Sequence, residues 1–153
     1  MSENKSFQIE IKKKNELEGL GITKQGETTP ENIGLLRGQF LKKTNHLHIL
    51  DGDCYGLLSP NNNYKAFFLK KYFDSNLENF TKMKITADLY AIGVHKGSYG
   101  NLPESQEKII LSIEDKGFEK INKPIVHRFM NDPRKTISKE LRTEIWVAII
   151  KKI

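Results

Sequence analysis

The sequence contains an internal repeat, and this repeat restricts the fold more than any other feature. Residues 16–24 read ELEGLGITK and residues 88–96 read DLYAIGVHK, an offset of 72 positions (88 − 16). The acid, leucine, glycine and lysine positions coincide in the two segments. A repeat at a fixed offset is the sequence signature of a duplicated structural unit. We therefore predict two similar halves, at about residues 6–72 and 84–151.

Each copy of the repeat is followed by a signal for the start of a helix. Thr28–Glu31 and Asn101–Glu104 each place a proline in the first turn and then an acid. Gly117 is placed to end the second helix. Gly34 and Gly38 lower helix propensity, and we expect them to permit close packing of the first helix on a sheet. Residues at helical spacing predict one buried face in each helix: Ile33, Leu36 and Phe40 in the first, and Gln106, Ile109 and Ile113 in the second.

A predicted β-hairpin follows each helix. Its strands lie at residues 53–58 and 64–72 in the first half, and at residues 124–130 and 144–151 in the second. Residues 73–84 are expected to form a polar bridge between the halves. Two strand–helix–hairpin units bury their apolar faces best by joining their sheets. The prediction is an α+β fold of duplicated βαββ units, with an antiparallel curved sheet, helices on one face and a central cleft on the other.

Length and charge limit the class of protein. At 153 residues the chain suits a single domain spanning residues 1–153. The net charge is +6, but the lysines are scattered, so we expect no direct nucleic-acid binding. No apolar run is long enough to span a membrane, and the residues at the N-terminus lead us to expect no secretory signal. One cysteine, Cys54, excludes an internal disulfide and fits a cytoplasmic protein, with a buried small side chain favoured over a nucleophile.

One carboxylate interrupts the most apolar strand of the chain. Strand side chains alternate between faces, so Glu144 shares a face with Trp146 and Ala148, while Ile145 and its alternate neighbours form a plain core face. Burying a lone acid is costly unless a partner offsets the lost solvation. A ligand with positive charge or hydrogen-bond donors is one such partner. The alternative is a solvated Glu144, or one paired with Arg142 on the same face.

The C-terminal segment resembles the GyrI-like family, the effector-binding domain of AraC-type and MerR-type multidrug regulators. The likeness is carried by the turn Asn131-Asp132-Pro133 and by residues 140–147, which read ELRTEIWV with the acid inside the last apolar strand. The pair Tyr90-Ala91, followed by residues 95–97, is similar to the mid-chain segment of the family. The resemblance covers residues 6–151 and is strongest after residue 84.

The resemblance implies a function as well as a fold. It implies a cleft lined by aromatic residues, with an acid matching Glu144 at its floor, that takes lipophilic and often cationic small molecules. The sequence also departs from the family pattern in two places. Arg37 stands where a tryptophan is common, and His127 and Phe129 stand where an acid and a tyrosine are common. These changes weaken the expected preference for cations more than the expected fold.

The predicted ligand site combines the last strand with residues from other strands. The candidates are Glu144, Trp146, Phe129, His127, Tyr90, Tyr55 and Phe68. Tyr64 and Ala66 are assigned to the same face as Phe68, and Phe67 and Leu69 to the core. We predict no catalytic residue, no metal site, since no second ligand stands at suitable spacing from His127, and no cofactor.

Three functions follow from these residues. We favour a small-molecule binding module that senses or sequesters a lipophilic ligand. One alternative is a hydrolase of electrophilic compounds that uses Glu144 as general base with Tyr90 or Tyr55, since some branches of the family resemble hydrolases. Another is a module that binds a protein partner, a regulator or a topoisomerase. No oligomeric state follows from the sequence.

Overall fold

A computed structural model describes residues 8–24, 35–36, 38–40, 42, 50–59, 63–72, 81–86, 88–131 and 136–152. The strands in this part of the chain are β1 (Glu10–Lys14), β2 (Leu17–Lys24), β3 (Cys54–Leu58), β4 (Tyr64–Leu69), β5 (Thr81–Ile85), β6 (Asp88–Lys96), β7 (Phe118–Lys120), β8 (Ile125–Phe129) and β9 (Arg142–Lys151). Helix α1 spans Leu102–Asp115. Single 3-10 turns occur at Lys70–Tyr72, Tyr99–Asn101 and Ser138–Glu140.

The strands form one antiparallel sheet in the order β1-β6-β9-β8-β3-β4-β2-β5, and β7 pairs with β9. In this order the strands β2, β3 and β4 from the first half of the sequence lie beside one another, and so do β6, β8 and β9 from the second half. They join where β3 pairs with β8. The predicted α+β fold with an antiparallel sheet is confirmed.

Chain connectivity forces the sheet to curl. Strands β1 and β2 lie six positions apart in the sheet, which is about 29 Å on a flat surface. Only two residues separate Lys14 from Leu17, so their Cα atoms lie within about 11 Å. The same holds for Ile85 and Asp88, which join β5 to β6. The two edges of the sheet therefore approach each other and enclose one face, which we call the cleft face.

The outer strands of the sheet correct the sequence prediction. Residues 81–84 were expected to belong to a polar bridge, but they form most of β5 and pair with β2. Alternation explains the strand, because Met83 and Ile85 are buried while the lysines between and beside them are exposed. Residues 73–80 of the predicted bridge lie outside the described residues.

Helix α1 covers the opposite side of the sheet, which we call the helix face. As predicted, it has a proline in its first turn, and Gly117 follows it with φ +82°. Ile109 and Ile113 are fully buried. They belong to a core cluster that also contains Ile145, Val147 and Ile149 of β9. The plain core face of the last strand is thus confirmed.

The first helix is described only in part. Residues 35–36, 38–40 and 42 are helical, and Leu36 and Phe40 are buried against β3 and β4 as predicted. The predicted start at Thr28–Glu31 lies outside the described residues, as do Ile33, Gly34 and Arg37. Gly38 contradicts its predicted role, because it faces open space and a Cβ there has no neighbour within 4 Å.

Candidate ligand-binding cleft

Glu144, Trp146 and Ala148 lie together on the cleft face of β9, opposite the isoleucines of the core. Trp146 and Ala148 are each 2% exposed, and the side chain of Glu144 is 20% exposed. Trp146 Nε1 donates a hydrogen bond of 3.0 Å to Glu144 Oε1. The alternation predicted from the sequence therefore places the acid beside the indole in a half-buried position.

Aromatic side chains pack around Trp146. The ring of Tyr55 lies 5.8 Å from the indole at an angle of 79°, and the ring of Tyr90 lies 5.7 Å from it. Phe67 stacks on Tyr55 at 5.5 Å. Burial raises the pKa of both Tyr55 and Tyr90, so these hydroxyls stay neutral at physiological pH. These aromatic groups form one closely packed cluster on the cleft face of the sheet.

A cleft of about 500 Å³ opens beside Glu144. Glu144 lines it together with Ile92, Gly93 and Val94 of β6 and with residues from β1 and the segment before it. The lining residues from the N-terminal segment are Gln8, Ile9, Glu10, Lys12 and Lys14. The volume falls within the range of small-molecule sites, which lie at about 300–1,000 Å³.

Glu144 also has a cationic partner, and it differs from the residue considered in the sequence. Arg128 lies directly opposite Glu144 in the β8–β9 ladder, and its Nη1 lies 3.4 Å from Glu144 Oε1. The same guanidinium donates from Nε to the carbonyl of Gly52 at 2.7 Å. Arg142, the alternative partner, is exposed on the surface. Glu144 is thus paired with a guanidinium and still borders the cleft.

Two lysines from β1 add positive charge to the cleft. Lys14 Nζ lies 4.9 Å from the centre of the Trp146 ring, a cation–π contact. Lys12 forms a salt bridge of 2.9 Å with Glu10, and both of these side chains are largely exposed. Sequence reasoning assigned neither lysine nor Arg128 to the cleft, and Lys14 and Arg128 meet their partners only across strands.

A family comparison now decides the class of this fold. The model of the GyrI-like small-molecule binding domain matches residues 7–150. The chain belongs to the GyrI-like family. The resemblance seen in the C-terminal segment is confirmed over nearly the whole chain. A comparison with proteins of curated function finds no match.

Solved structures share the architecture of this GyrI-like domain. The crystal structure of the EcmrR C-terminal domain superposes with a TM-score of 0.71 at 22% identity, covering 95% of this chain and 98% of that one. The structure of SAV2435 bound to tetraphenylphosphonium gives 0.69 at 13% identity, covering 94% of each chain. A hydrolase from Listeria innocua gives 0.60 at 12% identity, covering 95% of this chain and 93% of that one. At these identities the likeness concerns the fold.

Three predicted site residues lie on the helix face of this GyrI-like domain and not on the cleft face. Phe68 packs against Phe40, with 4.4 Å between ring centres, and Phe129 packs against Tyr99 at 5.5 Å. Tyr64 and Ala66 accompany Phe68 on the helix face. Phe67 and Leu69, which were assigned to the core, instead belong to the aromatic cluster of the cleft face. These side-chain assignments were wrong.

His127 is the third of these residues, and it is fully buried between the sheet and α1. Its Nδ1 lies 2.8 Å from the Tyr64 hydroxyl and its Nε2 lies 2.6 Å from Gln106 Oε1. Burial, and then the nearby His95, lowers the pKa of His127 from 6.5 to about 4. The neutral imidazole donates from Nε2 to the amide oxygen and accepts at Nδ1 from the tyrosine hydroxyl. His127 therefore joins the helix to the sheet and does not line the cleft.

A shift of one residue explains the reversed faces in the first half. The sequence offset of 72 equates Leu20 with Ile92, yet Leu20 pairs with Phe68 on the helix face while Ile92 lies on the cleft face. An offset of 73 equates Leu17 with Tyr90, and both belong to the aromatic cluster of the cleft face. A slip of one residue moves every side chain of a strand to the other face.

The described residues contain no group of three or more His, Cys, Asp or Glu side chains that can hold a metal ion. Within the same part of the chain, no helix has the length and apolar character needed to cross a membrane. Cys54 is buried, as predicted.

Proposed function

We propose that this GyrI-like domain binds a lipophilic small molecule carrying a positive charge in the cleft beside Glu144. The observation that carries the proposal is a half-buried carboxylate, bonded to an indole, at the wall of a cleft of about 500 Å³. Such a ligand gains from apolar burial, from the aromatic faces and from the charge of Glu144 in a partly desolvated site.

We assign three kinds of contact to the site. Glu144 anchors the charged group, Trp146 offers an aromatic face, and Ile92 and Val94 supply apolar walls. Tyr90 and Tyr55 pack against the indole of Trp146. We expect broad selectivity, because one charge and several flat surfaces read the shape of a ligand only loosely.

In the cell, we propose that the domain senses or sequesters its ligand in the cytoplasm and acts on transcription through a protein partner. The fold shared with the C-terminal domain of EcmrR supports a link to regulators, and a sequence with a single cysteine fits a reducing compartment. The proposal requires no contact between this domain and nucleic acid.

Calorimetric titration with two ions of one shape tests the proposal. Tetraphenylphosphonium, the cation bound in the structure of SAV2435, and tetraphenylborate have nearly the same size and opposite charge. We expect the wild type to prefer the cation. We expect Glu144→Gln to weaken cation binding by a factor of about 5–10, which is about 1 kcal/mol, and to leave the anion unchanged or tighter.

Glu114→Gln is the matched control, because Glu114 is exposed on α1, which covers the opposite face of the sheet, and does not line the cleft. This variant changes the net charge equally and is expected to bind like the wild type. Equal affinity of the wild type and Glu144→Gln for tetraphenylphosphonium contradicts the role of Glu144 as anchor. Absence of cation binding in every form contradicts the proposed function as a whole.

A further inference from the structure

Lys14 lines the cleft and places its ammonium group over the buried ring of Trp146. Its Nζ lies 4.9 Å from the centre of the Trp146 ring, while Glu144 accepts a hydrogen bond from the indole nitrogen of the same residue. The three groups have the arrangement that a bound organic cation would have, with a positive charge over the ring and a carboxylate at its edge. In this structure the positive charge belongs to the protein.

The carboxylates nearest to Lys14 along β1 and across the ladder form salt bridges with other lysines. Asp88 lies directly opposite Lys14 in the β1–β6 ladder but forms its salt bridge with Lys123. Lys12, two residues away on the same face, pairs with Glu10. In the part of the chain that the structure describes, Lys14 has no carboxylate within 4.0 Å. The indole is therefore its principal partner.

We infer that Lys14 is an internal competitor that occupies the cation position of the cleft and must leave when a cationic ligand binds. This inference rests on the proposed function. Because Lys14 is covalently attached near the Trp146 ring, its ammonium group has an effective concentration at the ring of roughly millimolar order. It therefore competes with a dissolved cation even though each contact is weak.

Competition of this kind selects the class of ligand. A small ammonium ion offers little beyond the contact that Lys14 already makes, so it cannot displace the lysine. A bulky cation with several rings also buries apolar surface against Ile92 and Val94, which Lys14 does not do. The cleft thus favours large lipophilic cations and rejects small ones, because only a large cation gains enough apolar contact to displace Lys14.

The test compares Lys14→Gln with Lys13→Gln as a matched control. Lys13 carries the same charge on the same strand, but alternation turns it away from the cleft face, and it is exposed. Lys14→Arg keeps the cation and serves as the conservative variant. Titrations with tetraphenylphosphonium and with tetramethylammonium measure the large and the small cation in all four proteins.

We expect Lys14→Gln to bind tetraphenylphosphonium about 3–10 times more tightly than the wild type, as removal of one cation–π competitor implies. We expect measurable binding of tetramethylammonium in Lys14→Gln alone. Lys13→Gln and Lys14→Arg should both resemble the wild type.

Chemical labelling of amines gives a second readout that does not depend on affinity. Lys14 should react faster with an acylating reagent when tetraphenylphosphonium is bound, relative to Lys13 in the same sample, as measured by mass spectrometry of peptides. Trp146 is the only tryptophan in the chain, so its fluorescence reports directly on loss of the lysine contact in Lys14→Gln.

The outcomes separate the inference from the proposed function. If Glu144→Gln loses affinity for tetraphenylphosphonium while Lys14→Gln equals Lys13→Gln, the competitor role is wrong and the site stands. If Lys14→Gln binds the cation more weakly, or Lys14 is protected from acylation by the ligand, Lys14 supports the ligand and the inference is overturned. If no protein binds tetraphenylphosphonium, both proposals fail together.

Discussion

Arg128 and Glu144 lie opposite each other on β8 and β9, with Nη1 and Oε1 3.4 Å apart at the edge of the cleft. This pairing gives the acid a partner without filling the space beside it. The guanidinium also bonds the carbonyl of Gly52, in the turn before β3, so it connects both halves of the sheet at the seam between β3 and β8.

We predict that Arg128→Gln lowers the free energy of unfolding by about 1–2 kcal/mol, because the Gly52 carbonyl and Glu144 both lose a charged donor. The same change should tighten binding of tetraphenylphosphonium a few-fold, since less positive charge then faces the ligand. Urea denaturation and calorimetric titration measure the two effects. Arg142→Gln is the control, because this exposed arginine lies on the strand of Glu144, and we expect a change below about 0.5 kcal/mol. An equal loss of stability in both variants contradicts the role of Arg128.

His127 predicts a pH dependence of stability. Its pKa is lowered to about 4 in the folded protein, whereas the unfolded chain binds the proton near pH 6.5. The stabilising effect of neutral His127 is therefore complete above pH 6.5 and is lost as the pH falls from 6.5 to 4, with about 2 kcal/mol lost by pH 5.

The measurement is the free energy of unfolding of the wild type and of His127→Gln at pH 7 and pH 5. The contribution of any other titratable group is common to the two proteins and cancels when they are compared. The variant should be less stable at pH 7, and the gap should narrow by about 2 kcal/mol at pH 5. A gap of constant size at the two pH values shows that His127 titrates normally in the folded protein.

Gly56 permits the hydrogen bond between Tyr64 and His127. A Cβ atom at this position would lie 2.0 Å from the Tyr64 hydroxyl oxygen, so the ring must move and its 2.8 Å bond to His127 must break. Tyr64 is fully buried and has little room to shift. We predict that Gly56→Ala costs about 2–3 kcal/mol in thermal or chemical unfolding. A change within the measurement error would show that the buried ring relaxes without loss.

Gly38 should respond in the opposite direction. It is exposed in the first helix, and a Cβ atom added there meets no atom within 4 Å. Gly38→Ala is expected to raise the free energy of unfolding by about 0.5–1 kcal/mol, because alanine restricts the unfolded chain and favours the helix. Loss of stability in Gly38→Ala would indicate a contact made by a part of the chain outside the described residues.

The sequence predicted most of the elements because each carries its own local signal. Helix α1 has its proline and its buried face within fifteen residues, and β9 is an apolar run interrupted by Glu144. Strand β5 was missed because its two buried residues, Met83 and Ile85, stand among lysines in a stretch that is polar overall. The hydrophobic period, more than the mean hydropathy, marks such a strand.

The side-chain directions in β4 and β8 were beyond the sequence. Val126 and Arg128 face the cleft side while His127 faces the helix, yet neither alternation of β8 is clearly more apolar than the other. The repeat was no guide to β4, since the offset of 72, at which the residues of the two copies match, assigns β2 to the face opposite to the one that the structure shows. Pairing with neighbouring strands decides the face.

By itself, the amino-acid sequence indicated the duplicated units, the family and the placement of Glu144 beside Trp146. Side chains alternate between the two faces of a strand, so the spacing of two residues within one strand fixes whether they share a face. Only the tertiary structure decided which charges meet that pair. Arg128 reaches Glu144 across a ladder, and Lys14 reaches Trp146 because β1 pairs with β6, the strand that lies next to β9. Ladder register and sheet curvature are set by all the strands together, so no local stretch of sequence records them.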